Sequence, residues 1–169
     1  MYPVYLGTFE RNINLDFPLQ SRHYVNYNIK ITQDLCRSID YLETRQDIDT
    51  TRLAYYGDSW GGKLGLIIPA VEDRLKISIL IVGGSTGNPY PEMDPVNYVP
   101  RIKIPVLMLN GKYDTGFSYE NVVKPFFNLL GTPVKDKKLI LYETDHYVPK
   151  SEIVKETLNW LDKYFGPAK

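Results

Sequence analysis

Two continuous apolar runs, KISILIV at residues 76–82 and IPVLMLN at 104–110, constrain the fold of this chain more than any other feature. Neither alternates polar with apolar side chains, and the first is rich in β-branched residues and closed by Gly83-Gly84. Such strands are buried on both faces. RLAYYG at 52–57, closed by Gly57, and KLILYE at 138–143 read as two more strands, and YPVYL at 2–6, ending at Gly7, as a short fifth. Helical spacing fills the intervals. Val25, Ile29, Cys36 and Ile39 recur over about 22–45, with Ile31, Leu35 and Leu42 beside them, and Leu64, Ile67, Ile68 and Val71 follow Ser59. Val122, Val123, Phe126, Phe127 and Leu130 mark 119–130, where Pro125 breaks or restarts the helix and Gly131 stops it. A last helix from Ser151 should bury Ile153, Val154, Leu158, Leu161 and Phe165. Strands alternating with helices imply an α/β fold, a mostly parallel sheet with helices on both faces.

At 169 residues and 43% hydrophobic content, the chain fits one domain over 1–169, large enough for a sizeable core. Twenty basic residues balance twenty acidic ones, so no overall field favours nucleic acid or an anionic membrane. The first twenty residues include Glu10, Arg11 and Asp16 and do not resemble a secretory signal, and no stretch approaches a membrane span. A cytoplasmic protein is the expectation. The one cysteine, Cys36, cannot form an internal disulfide and reads as a buried thiol within a helix. Two distant histidines and one cysteine supply no zinc set, and no acidic loop has calcium-binding spacing, so neither metal nor cofactor is expected. GGSTG at 83–87 lacks the Lys-Ser/Thr ending of a phosphate loop and reads as a turn bordering a site.

In an open parallel sheet, chemistry collects at the carboxyl ends of the strands. After RLAYYG comes Ser59, flanked as Gly57-x-Ser59-x-Gly61; after IPVLMLNGKY comes Asp114; after KLILYET come Asp145 and His146. A serine on a sharp strand-to-helix turn between glycines has the nucleophile-elbow pattern, and the order Ser, Asp, His suits a nucleophile, an acid and a base. Each has a plainer reading: Ser59 as a helix cap, Asp114 as a turn residue. The flanking strands favour the chemical one. Of the two histidines, His23 opens an amphipathic helix and suits a solvent-facing role, leaving His146 as the base. Asp58 and Asp145 adjoin triad candidates in sequence and rank below Asp114.

These motifs resemble a known group. GDSWGG, LNGKYD and ETDHYVP are similar to the serine, acid and histidine segments of the prolyl-oligopeptidase-like and acetyl-xylan-esterase-like branch of the α/β-hydrolases, with Asp145 where a glycine is commoner. The similarity runs from about residue 2 to the C-terminus. It implies an α/β-hydrolase sheet, shortened at its N-terminal side, and a serine esterase acting on small ester substrates through an acyl-enzyme. Trp60 would supply one oxyanion N–H, and Tyr90, Met93 and Tyr98 would line a small apolar pocket suited to short acyl chains. A small peptidase is the enzymatic alternative, and a non-catalytic interaction protein the other. The resemblance also leads one to expect an open sheet edge beside RLAYYG and hence a homo-oligomer whose partner completes the oxyanion site.

Overall fold

The structure, a computed structural model, describes residues 1–167. Two compact units make up the chain, one of Met1–Thr50 with Asn88–Asp94, the other of Thr51–Gly87 with Pro95–Lys169.

The first unit is built on helix α1, Arg22–Glu43. Ser21 caps it, its hydroxyl accepting from the Tyr24 N–H at 3.2 Å. The buried side chains are Tyr24, Val25, Tyr27, Asn28, Ile31, Leu35 and Ile39. Ile29 is exposed and Cys36 half-buried, so the stripe runs through 24, 28, 31, 35 and 39 rather than through Ile29. Asn28 fits that stripe because its Nδ2 donates to the Tyr24 carbonyl at 2.7 Å.

Residues 2–6 are not the strand that their sequence suggests. Side chains take up the backbone groups there: the Leu6 N–H donates to Asp34 Oδ2 of α1 at 2.9 Å, and Arg11 donates to the Val4 carbonyl at 2.9 Å. Pro3 has no N–H to give to a ladder. Burial pushes the Tyr5 hydroxyl up to about 12, with Tyr2 and Asp34 adding to the effect.

The second unit carries four parallel strands in the order β1-β2-β3-β4: Leu53–Asp58, Leu75–Ile81, Val106–Gly111 and Lys137–Tyr142. Ile77, Ile79 and Ile81 of β2 share a face with Leu107 and Leu109 of β3, and helix α4, Lys150–Phe165, lies on it through Trp160. Ile153, Leu161, Tyr164 and Phe165 pack against that cluster, whereas Val154 and Leu158 are exposed. The two exposed positions each sit one residue, about 100°, away from the inward line 153, 157, 160, 164, of which Trp160 is the buried member. Each fully buried isoleucine or leucine of this cluster contributes roughly 1.5–3 kcal/mol.

Helix α2, Trp60–Leu64, follows β1 on the opposite face. There Leu80 fills the space at Gly65, its Cδ2 2.1 Å from where a Cβ would stand. Helices thus cover both faces, as the alternation of strand and helix requires. The expected helix at 119–130 is a wide turn over Tyr119–Val123, in which the Val123 N–H reaches the Ser118 carbonyl, followed by α3, Lys124–Leu129. Pro125 sits in the first turn of α3, where its missing N–H is harmless. No helix among the described residues is long and apolar enough to cross a membrane.

Candidate active site

Because the strands are parallel, their carboxyl ends share one edge, and the loops after β1, β3 and β4 meet there. Ser59 follows β1 directly and takes φ 51° and ψ −104°, a backbone that side chains rarely adopt and that costs of order 1–3 kcal/mol. The surroundings hold it. Its N–H donates to the Ile81 carbonyl at 2.9 Å, its carbonyl accepts from the Lys63 N–H at 2.9 Å, and the Tyr55 hydroxyl ties down the Gly61 carbonyl at 2.7 Å.

Two glycines make the turn possible. A Cβ on Gly57 would stand 2.3 Å from the Gly61 carbonyl oxygen, and one on Gly62 would stand 2.7 Å from the Gly83 Cα. Gly61, by contrast, has nothing nearer than the Tyr55 hydroxyl at 3.9 Å. The glycine that sequence spacing singles out after the serine is therefore roomy, and its neighbour bears the close approach. On the far side of that approach the chain leaves β2 through Val82, at φ 40°, and Asn110 of β3 donates to the Gly83 carbonyl at 3.0 Å. GGSTG thus borders the elbow as expected, closed by the Gly87 N–H on Ser85 Oγ.

Ser59 Oγ lies 2.7 Å from His146 Nε2, and His146 Nδ1 lies 2.7 Å from Asp114 Oδ2. An ionised carboxylate can only accept, so Asp114 fixes the imidazole proton on Nδ1 and leaves Nε2 as an acceptor for the serine hydroxyl. Asp114 is 3% exposed, and its second oxygen takes the N–H groups of Gly116 at 2.8 Å and Phe117 at 2.9 Å. Burial pushes this carboxyl up, but the Phe117 N–H, His146 and the Gly116 N–H together hold it below the usual carboxylate range. It stays charged at neutral pH.

The histidine arrives on a loop that leans on β3. The Lys112 and Tyr113 N–H groups donate to the carbonyls of Tyr142 and Thr144, and the Asp145 carbonyl sits 1.7 Å from where a Gly111 Cβ would be. Asp145 and Asp58 are exposed, and the imidazole pairs with Asp114 instead. Phe117 places its ring 5.7 Å from the His146 ring. Neither Phe117 nor Gly111 stands out in sequence, although an aspartate followed two and three residues on by Gly and Phe is an Asx-turn pattern that predicts the two N–H contacts.

The other expected residues are placed as follows. Trp60 is the first residue of α2. Tyr98 precedes a short turn over Val99–Arg101 and has the Arg101 guanidinium 4.9 Å over its ring. Tyr90 and Met93 belong to the first unit, where Tyr90 lies under the guanidinium of Arg22, itself paired with Glu92, and Met93 is buried. Among the described residues, no three His, Cys, Asp or Glu side chains are grouped to hold a metal.

A strained serine after the first strand, a buried aspartate after the third and a histidine after the fourth meet at this edge, and the sequence that brings them there matches a known family. That match is to the dienelactone hydrolase family, over residues 16–147. The chain belongs to the dienelactone hydrolase family. Within the α/β-hydrolases, it is 27% identical over 143 residues to cutinase est2 of Thermobifida alba, covering 78% of this chain and 44% of the cutinase. The zinc-bound structure of a cold-adapted esterase from an Arctic intertidal metagenomic library superposes with a TM-score of 0.70 at 26% identity, over 83% of this chain and 60% of the esterase. An acetyl xylan esterase from Paenibacillus sp. R4 shares the fold, with a TM-score of 0.68 at 21% identity over 82% and 53% of the two chains. This dienelactone hydrolase family member thus spans about half the length of the curated cutinase and three fifths of the esterase structure.

Proposed function

We propose that this chain is a serine hydrolase that cleaves short-chain carboxylic esters. The observation that carries the reading is the unbroken hydrogen-bonded line from Ser59 through His146 to buried Asp114. In the first half-reaction Ser59 Oγ attacks the ester carbonyl carbon while its proton passes to His146 Nε2. The carbon–alkoxide bond then breaks, and His146 returns the proton to the leaving alcohol. In the second, a water molecule gives a proton to His146 and attacks the acyl carbon, and Ser59 leaves as the hydroxyl. Asp114 orients the imidazole and stabilises its cation in both halves. The Trp60 N–H donates to the carbonyl oxygen as it gains charge. Two of the similar proteins are named as esterases and one as a cutinase, which favours esters over peptides.

Tyr98 borders the acyl site in this reading and keeps it small. A fluorophosphonate probe should label Ser59 and no other residue, and nitrophenyl acetate and butyrate should turn over faster than long-chain esters. Faster cleavage of long chains would reverse the size assignment, and a folded protein that never labels would replace the enzyme by a non-catalytic interaction protein.

The chain works as one domain in this proposal, because the family match at 16–147 runs through both compact units. It works in the cytoplasm, a setting that suits a protein whose lone cysteine closes no internal disulfide. It also self-associates. Among the described residues β1 pairs with β2 and lies at the sheet edge, Ala54, Tyr56 and Asp58 are exposed along it, and Tyr56 is 51% exposed. An edge strand with one charge in six residues is a template for pairing with a second copy. Light scattering at micromolar concentration should report a mass of two or more chains, and a monomer overturns this assignment.

A further inference from the structure

Gly84 lies in the loop after β2 and is buried, yet its φ is not in the left-handed region, so backbone conformation does not call for glycine there. Space does. A Cβ at Gly84 would stand 2.8 Å from Val122 Cγ1 and 2.9 Å from both Cβ and Cγ of Phe117. Of the Phe117 atoms, Cβ cannot move without the main chain that bears it, and Cγ can leave only by swinging the whole ring to another rotamer. That main chain donates its N–H to Asp114 Oδ1 at 2.9 Å, while the Phe117 ring lies 5.7 Å from the His146 ring at an interplanar angle of 55°. One residue therefore touches both the acid and the base, and its seat is the missing side chain of Gly84.

We propose that Gly84 and Phe117 form a positioning wedge, in which the empty volume at Gly84 seats Phe117 so that Asp114 and His146 stay aligned with Ser59. The inference rests on the hydrolase reading of that triad for its effect on rate. A glycine that merely saves space in the core would act through Val122 as much as through Phe117, and the two cases separate experimentally.

Gly84→Ala should lower kcat about tenfold to a hundredfold, the scale of a misplacement of up to an ångström, and leave KM within threefold. Val122→Ala in that background removes the other close contact, so it should recover melting temperature and leave kcat low. In a Phe117→Ala background, the Gly84→Ala change should add less than threefold, because both act on one alignment. The chain has two histidines, so the imidazole ¹⁵N signals of His146 are read against His23 as an internal reference. Gly84→Ala should move the His146 signals and leave those of His23 in place.

Recovery of kcat by Val122→Ala overturns the wedge, as does a Gly84→Ala protein with kcat within threefold of the parent and unmoved His146 signals. A parent protein that hydrolyses no ester, but whose His146 signals move on Gly84→Ala, keeps the wedge and removes the hydrolase reading. If Gly84→Ala fails to fold, Phe117→Leu takes its place. It keeps the N–H and loses the ring, so it should move the His146 signals and lower kcat at constant KM; no change in either overturns the proposal.

Discussion

Ser59→Ala and His146→Ala should each remove nearly all turnover, by about 10⁴- to 10⁶-fold in kcat, and the double variant should lose little beyond either single one. Residues that act as a unit cannot be removed twice: without Nε2 the hydroxyl keeps its proton, and without the hydroxyl the imidazole has nothing to activate. A His146→Ala rate within a few-fold of the parent means that the base is another group. Asp114→Asn should cut kcat by roughly 10⁴-fold, since an amide facing Nδ1 favours the wrong tautomer, while Asp145→Asn should stay within a few-fold. The reverse ranking transfers the acid role to Asp145. The depressed Asp114 carboxyl sets the sign of the acid limb. A group whose folded pKa lies below its unfolded value contributes its full stability above the unfolded value, near 4, and loses it as pH falls through the folded one. Acid should therefore disarm this arrangement below about pH 4.

Gly111→Ala is the second large effect, because its new Cβ would fall 1.7 Å from the Asp145 carbonyl oxygen, a backbone atom next to the base. Ordinary contact requires the loop to retreat by well over an ångström, and His146 retreats with it. Turnover should fall a hundredfold or more, and chemical denaturation should show a loss of roughly 1–3 kcal/mol from overpacking. Gly61→Ala is the control, since only the Tyr55 hydroxyl, at 3.9 Å, lies near its Cβ position. Its kcat should stay within a few-fold. A Gly111→Ala protein as active as the Gly61→Ala protein would mean that the histidine loop does not depend on β3 for its position.

The sequence carried the centre of the fold better than its margins. KISILIV and IPVLMLN became β2 and β3 to within two residues, because a strand flanked on both sides must be apolar throughout and few other structures want such a run. The three chemical residues were legible for a related reason: parallel strands all deliver their next residues to one edge. YPVYL misled because its apolar residues look like a strand, whereas its backbone groups are claimed by Asp34 and Arg11, which sequence spacing does not connect to it. In α4 the true anchor, Trp160, was passed over for Val154 and Leu158, as a one-residue error in phase turns a helix by 100°. Gly62, Gly84 and Gly111 were silent because close approach between segments distant in sequence leaves no local pattern.

The serine and the histidine follow the two outermost strands, β1 and β4, and the aspartate an inner one. Three strand spacings, about 14 Å, separate the two strands whose following loops bring in these side chains, which touch at 2.7 Å. Their contact closes only if the whole sheet keeps its twist and the loop from β4 folds back across β2 and β3. Edge strands have hydrogen bonds on one side alone and open most readily, so the reacting pair is borne by the two elements that fray first. In the hydrolase reading, catalytic competence should then be lost in partial opening, ahead of the central strands and their covering helices, which would make activity the most sensitive gauge of the state of the sheet.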